Sequence, residues 1–177
     1  MTISHLLKDF YLKNNFPKDG GESKDFFELK FKLFTLKLPN SQFRKKVIHI
    51  HDIQHVLYNC DTTWKGEAFI AGWEISTKMW KHFPVGIMSL WAMGFSLLNY
   101  PIEVYNGYKV GINNKGIIDL DIEKTTLLNL TLLELETIIQ KEKTRKVNWF
   151  KFLFWCFNSL FVLTLPIIIV IILLYSI

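Results

Sequence analysis

The spacing of apolar residues along the chain predicts a series of helices separated by polar or proline-containing turns. The helical stretches are residues 3–14, 42–59, 67–82, 102–110 and 118–141. Residues 26–38 are ambiguous, because their apolar residues alternate with lysines as in a strand but also fit a helix with a wide apolar face. A lone strand would have no partner, so we predict a helix there too. The pattern as a whole predicts an all-α fold.

The C-terminal part of the chain differs from the rest, because residues 152–177 contain no charged residue. About 20 apolar residues cross the hydrocarbon core of a bilayer, so we predict one transmembrane helix here, with a kink at Pro166. The positive-inside rule places the preceding domain on the cytoplasmic side, and basic residues favour anionic headgroups. The basic residues that precede the span are Lys141, Lys143, Arg145, Lys146 and Lys151.

This pattern divides the chain into an N-terminal segment (1–24), a compact helical domain (25–147) and a C-terminal transmembrane anchor (148–177). The polar N-terminus argues against a secretory signal peptide. The two cysteines do not suggest a disulfide framework, which favours a reducing compartment. Much of the net charge of +5 lies beside the predicted anchor. Because no nucleic-acid-binding motif is present, this charge indicates a membrane partner and no nucleic acid.

Residues 85–98 form a second uncharged stretch, which is short for a membrane span. One interpretation is a central core helix. The other is that the same helix also lines an apolar channel for a ligand, where methionines adapt to an irregular ligand shape. Gly86 and Gly94 lower the helix propensity of the stretch, and we expect them to permit the close approach of another group.

The most informative residues are His51, Asp52 and His55, followed after eleven residues by Glu67. On a helix the first three side chains can converge on one point, and Glu67 can return to it from the start of the next helix. Two imidazoles and two carboxylates suit a borderline divalent metal: zinc first, with iron, manganese or cobalt compatible. An exposed helix face that merely carries histidines is the alternative. The apolar neighbours of the motif argue against it, because buried charges need a partner or a metal.

Other metal enzymes fit these residues less well. A zinc protease needs glutamate where Asp52 follows the first histidine. An HD-type phosphohydrolase shares the His51-Asp52 pair but needs an upstream histidine on another helix. Only His5 lies upstream of the motif helix, in the polar N-terminus. That class is therefore a weaker alternative.

The full pattern, His51-Asp52-x-x-His55, eleven residues and Glu67, resembles the signature of a family of small helical proteins in coenzyme Q (ubiquinone) biosynthesis, the fourth in that pathway's naming series. The resemblance covers about residues 25–140. Further stretches similar to the family are residues 55–57, 64–68, 105–111 and 119–139.

The resemblance implies a metal-dependent enzyme that removes the C1 carboxyl group of a polyprenylated hydroxybenzoate and installs a hydroxyl in its place. His51, His55 and Glu67 would be metal ligands. Asp52 would be a fourth ligand, an outer group that fixes a histidine tautomer, or the catalytic acid or base.

The family also implies certain partners: a polyprenyl lipid or quinone precursor, a quinone-biosynthesis complex and a second copy in a homodimer. The alternative function is a non-catalytic, isoprenoid-lipid-binding scaffold subunit of such a complex. Members of the family associate peripherally with membranes, whereas this chain is predicted to carry its own anchor. That difference leaves the exact lipid substrate open.

Overall fold

The computed structural model describes residues 1–31 and 33–175, apart from the side chains of Ile167 and Val170. Ser176 and Ile177, the end of the predicted span, lie outside the described residues. The described chain is mostly helical and includes a two-stranded hairpin. It divides into two compact units, Met1–Asn59 with Asp121–Glu136, and Cys60–Leu120 with Thr137–Ile177. The three-part division drawn from the sequence stays a prediction.

The elements in chain order are α1 (Ile3–Lys13), β1 (Phe26–Lys30), β2 (Thr35–Pro39), α2 (Gln42–Leu57), α3 (Trp64–Ser76), α4 (Val85–Asn99), α5 (Pro101–Gly111), α6 (Lys124–Asn129), α7 (Leu132–Ile139) and α8 (Trp149–Tyr175). Short 3₁₀ turns occupy Met79–Lys81 and Ile117–Leu120. The helices predicted over residues 3–14, 42–59, 85–98 and 102–110 are therefore confirmed within a few residues.

The prediction of a helix over residues 26–38 is wrong, and the mostly helical fold includes a small two-stranded hairpin in its place. β1 and β2 pair antiparallel, with Phe27 opposite Leu38 and Leu29 opposite Leu36. The alternation of apolar residues and lysines is the period-two signal of a strand. The strand partner that the prediction lacked is the second half of the same segment.

Two further predicted helices are shorter than expected. The helix predicted over 67–82 begins at Trp64 and ends at Ser76, and Lys78 has a left-handed backbone with φ 77°. The helix predicted over 118–141 is instead a 3₁₀ turn followed by α6 and α7. A left-handed Asp121, with φ 52°, precedes α6. Residues other than glycine rarely adopt a left-handed backbone conformation, and a residue that does so interrupts a right-handed helix.

A capping box begins α7. The amide and the hydroxyl of Thr131 donate to Oε2 of Glu134 across 2.7 and 2.8 Å. In return, the amide of Glu134 donates to Oγ1 of Thr131 across 3.3 Å. This reciprocal arrangement satisfies backbone groups at a helix start that have no partner within the helix.

In the first unit, α1 buries one stripe of side chains at a four-residue spacing: Ile3, Leu7 and Tyr11. This is the apolar face expected of an amphipathic helix. α2 contributes the buried Ile48 and Ile53 to the same unit. The stripe matters for function because it brings the ring of Tyr11 into the buried part of the unit.

In the second unit, glycines let helices approach closely. A Cβ at Gly72 of α3 would collide with the carbonyl oxygen of Val104 in α5, and a Cβ at Gly94 of α4 with that of Ser159 in α8. The close approach predicted at Gly94 is therefore confirmed. α4 buries Met93 but leaves Ile87 and Leu98 exposed, so one face only lies in the core.

α8 is long and apolar enough to cross a membrane, judged by its length and composition. Its N-terminal part packs in the second unit, where Phe152 is buried against Tyr108 with ring centroids 5.0 Å apart. Its C-terminal part exposes apolar side chains such as Ile172 and Leu174. Pro166 lies inside the helix and does not end it.

Candidate metal centre

His51 and His55 occupy successive turns of α2, so both imidazoles leave the helix on one side. Their Nε2 atoms lie 3.2 Å apart. The ring of His55 also stacks on Phe10 of α1, with centroids 5.7 Å apart and planes inclined by 26°. His55 is buried and His51 is half-buried.

The separation of the two nitrogens fits a shared metal ion. Bonds of about 2.0–2.1 Å from zinc to each imidazole, at a tetrahedral angle, place the nitrogens about 3.3 Å apart. The observed 3.2 Å agrees with that value. The donor set, neutral imidazole nitrogen with carboxylate oxygen, is also one that zinc accepts.

Glu67 completes the group. One ligand atom each from His51, His55 and Glu67 lie within 4.8 Å of one another. Glu67 sits in the first turn of α3 and is half-buried. The turn before it is held by Asp61, whose Oδ1 accepts from the amide and the hydroxyl of Thr63 at 3.0 and 2.6 Å. Three of the four predicted ligands are thus brought together, and Asp61 stabilises the turn that precedes Glu67.

Asp52 is not a member of this group of three. It is buried, and its Oδ2 accepts a hydrogen bond of 2.9 Å from the phenol of Tyr11. Burial raises the pKa of the Asp52 carboxyl, against the opposing effects of His51 and of the Tyr11 hydrogen bond. Burial and the nearby Asp52 likewise raise the pKa of Tyr11. The assignment of Asp52 as a ligand or as the catalytic residue stays a prediction.

Gly20 closes over the Asp52–Tyr11 pair. It has a left-handed backbone, with φ 66°, and a Cβ there would lie 2.6 Å from Oδ2 of Asp52 and 2.7 Å from the phenol oxygen of Tyr11. Only glycine adopts this conformation without strain and leaves that space free. The Gly20 backbone therefore covers the buried carboxyl directly.

Two neighbouring residues with metal-binding side chains lie outside the group. Burial lowers the pKa of His49 to about 4, so its imidazole is neutral at pH 7. We predict from the helix geometry that it is not a ligand, and it is not among the three residues brought together. Burial and nearby carboxylates raise the pKa of Cys60 to about 11. Cys60 is likewise not among the three residues brought together.

The sequence pattern does not identify Tyr11, Phe10 or Gly20 as site residues. Tyr11 and Asp52 are 41 positions apart, and no local spacing relates them. The only available signal is the stripe formed with Ile3 and Leu7, which marks Tyr11 as a buried residue whose hydroxyl needs a partner.

Comparisons with protein families, with curated proteins and with solved structures each found no match.

Proposed function

We propose that this protein is a membrane-associated, metal-dependent member of the coenzyme Q biosynthesis type, acting on a polyprenylated hydroxybenzoate or a related quinone precursor. The observation that supports it most directly is the approach of the His51 and His55 Nε2 atoms to 3.2 Å, with a Glu67 oxygen in the same group. The motif His-Asp-x-x-His, eleven residues, Glu adds the resemblance in sequence.

In the proposed reaction the C1 carboxyl group leaves as carbon dioxide and a hydroxyl takes its place on the ring. The ring carbon is oxidised by two electrons, so dioxygen or another two-electron oxidant must be supplied. When bound, a divalent metal would supply a Lewis acid for a carboxylate or phenolate oxygen. His51, His55 and Glu67 would hold it.

The chain's own contribution beyond the ligands is the Asp52–Tyr11 pair. Asp52 lies directly after a ligand in sequence, is buried, and has its pKa raised by that burial. A buried carboxyl of this kind can hold or release a proton near the reacting group. Tyr11 fixes the orientation of that carboxyl through its hydrogen bond.

Membrane attachment suits a polyprenyl substrate, which partitions into lipid. We propose that α8 crosses the bilayer and that the domain before it faces the cytoplasm. The length and apolar character of α8 support the first point. The exposed basic residues Lys143, Arg145 and Lys146 support the second, through the positive-inside rule.

The phosphohydrolase alternative gains little support. Its additional histidine would have to come from His5, which is exposed on α1 and lies 3.3 Å from Asp9. An exposed i,i+4 pair is the ordinary surface arrangement.

The first test is the metal content of the full chain, purified in detergent, by elemental mass spectrometry. About one equivalent of a transition metal is expected for a single three-residue site. His51→Ala and Glu67→Ala should lose it, while His5→Ala, which removes an exposed imidazole, should keep it. Metal-free protein after reconstitution with zinc, iron, manganese and cobalt would overturn the metal-dependent proposal.

A second test separates enzyme from scaffold. Metal-loaded protein is assayed for carbon dioxide release from a polyprenylated hydroxybenzoate with dioxygen present. Glu67→Gln should abolish release, while Glu103→Gln, which removes a charge paired with Lys65 at 3.7 Å, should retain it. Tight binding of the lipid by metal-loaded wild type without any release would favour the non-catalytic, lipid-binding scaffold.

A further inference from the structure

The polarity of α4 is the reverse of that expected for a helix at a water-facing surface. The helix contains no charged residue, and it exposes apolar side chains, with Ile87 48% and Leu98 64% exposed. Its two serines, Ser89 and Ser96, are buried instead, and only Asn99 at its last position is both polar and exposed. A surface helix of a soluble protein turns polar and charged side chains to water. The outer face of α4 is therefore suited to apolar surroundings.

α4 packs against the first half of α8, the candidate span. A Cβ at Gly94 would lie 2.3 Å from the carbonyl oxygen of Ser159 and 3.1 Å from the Cβ of Leu163, so the two helices are in close contact. Small residues allow this kind of approach between helices in membranes. Both contacted residues lie within Trp149–Pro166, an apolar window of which only 11% is buried inside the protein. Since α4 and α8 belong to one compact unit, a bilayer around this part of α8 also reaches α4.

Tryptophans and lysines mark the same boundary on both segments. Residues 83–102 contain no charged residue, and Lys81 lies shortly before them, as Lys151 lies directly before the uncharged stretch of α8. Trp80 and Trp155, which are close to these lysines in sequence, contact each other with ring centroids 4.8 Å apart. Nζ of Lys81 lies 5.7 Å from the centre of the Trp80 ring. Tryptophan is enriched at membrane–water interfaces, and lysine can keep its charge there while its stem lies on apolar surface.

We infer that α4 is a second membrane-embedded helix, which enters one leaflet beside α8 and places Ile87, Met88 and Leu98 against lipid acyl chains. Its 15 residues extend over about 22 Å. That is shorter than the hydrocarbon core of about 30 Å, so α4 does not cross the bilayer. α8 also exposes apolar side chains beside the contact, among them Phe157, which is 71% exposed. Acyl chains are the occupant that covers both helices when α8 crosses a bilayer. The inference rests on the proposed crossing of α8 and is independent of the metal centre.

The test identifies what surrounds α4 in the full chain, reconstituted into lipid vesicles with both native cysteines replaced by alanine. A nitroxide spin label is attached at Ile87→Cys or Leu98→Cys on α4, at Phe157→Cys on α8, or at the exposed Lys109→Cys on α5 as a water-facing control. Electron paramagnetic resonance then compares collisions of the label with oxygen, which concentrates among acyl chains, and with a water-soluble nickel chelate. We expect the ratio of oxygen to nickel collisions to be several-fold higher at positions 87, 98 and 157 than at position 109.

The label on α8 separates failure of this inference from failure of the proposed crossing. A high oxygen-to-nickel ratio at position 157, with a low ratio at either position of α4, would overturn the inference and leave the crossing of α8 intact. Few collisions with both reagents at the positions of α4 would overturn it too, and would show that protein, such as a second copy of the chain, covers the helix. A low ratio at position 157 would overturn the crossing of α8 and this inference with it, while the metal-content test would still decide on the metal centre.

Discussion

The phenol of Tyr11 on α1 donates a hydrogen bond of 2.9 Å to Oδ2 of Asp52 on α2. Asp52 stands between the two histidines of the candidate metal centre in sequence, yet its carboxyl is engaged by a different helix. Neighbouring residues of α2 therefore make two different kinds of contact. His51 and His55 meet each other, and Asp52 is held by the packing of α1 on α2.

Removal of the phenol oxygen should destabilise the protein. Tyr11→Phe keeps the ring but leaves the buried Asp52 carboxyl without its phenol donor, for an expected loss of about 1–3 kcal/mol in the free energy of unfolding. Urea denaturation in detergent, followed by near-ultraviolet circular dichroism, measures the change. Tyr100→Phe removes a more exposed phenol and should change stability little. Equal effects of the two substitutions would show that the Tyr11 bond contributes nothing specific.

The two glycines of the loop before β1 offer a matched comparison. Both have positive φ, 66° at Gly20 and 88° at Gly21, so alanine at either position carries backbone strain. A Cβ at Gly20 would in addition meet Asp52 and Tyr11, while a Cβ at Gly21 would meet nothing within 4 Å. We expect Gly20→Ala to lower the free energy of unfolding by at least about 1 kcal/mol more than Gly21→Ala. Similar losses would mean that the loop moves away from the pair at little cost.

The capping box of α7 gives a prediction for pH. Hydrogen bonds from the amide and the hydroxyl of Thr131 lower the pKa of Glu134 below its ordinary value of 4.5. A carboxyl group whose pKa is lower in the folded state than in the unfolded state stabilises the protein at pH values above its unfolded-state pKa. This stabilisation is lost as the pH falls through the folded-state pKa. Glu134→Gln should therefore flatten the decline in thermal stability below about pH 4.5.

The control for that experiment is Glu136→Gln, which removes a carboxylate from the exposed face of the same helix. The midpoint of thermal unfolding is measured for wild type and both variants across the acidic range. An unchanged slope in Glu134→Gln would contradict the proposed contribution of the cap to the pH dependence.

Much of the fold follows from the local sequence pattern, but the hairpin does not. The motif helix and the C-terminal helix are long periodic or apolar stretches, so their existence could be predicted from residues 42–59 and 152–177 alone. The hairpin could not be predicted in this way, because a strand is stable only with a partner, and the partner of β1 belongs to the same short apolar segment. The register of β1 on β2 depends on contacts between the two strands, and the pattern of residues along the chain does not show these contacts.

In the candidate site, too, some contacts follow from the local sequence pattern and others depend on the packing of helices. Helical spacing alone predicts the approach of His51 to His55, and the short polar turn after α2 returns Glu67 to them. Asp52 is different. Its position about 100° around the helix from His51 gives it another neighbour, and only the packing of α1 on α2 identifies that neighbour as Tyr11.

Metal-linked stability provides a test of the site that is independent of any activity. An ion that binds only the folded chain raises the free energy of unfolding by about 2.7 kcal/mol at one hundred times its dissociation constant. Zinc added to chelator-treated protein should thus raise the midpoint of thermal unfolding, and His51→Ala and Glu67→Ala should each remove most of that rise. His5→Ala should keep it, because that imidazole is exposed on α1 beside Asp9. A zinc-induced rise that survives in His51→Ala would place the ion elsewhere on the chain, since loss of one of two histidine ligands removes a large part of the affinity that the proposed centre can supply.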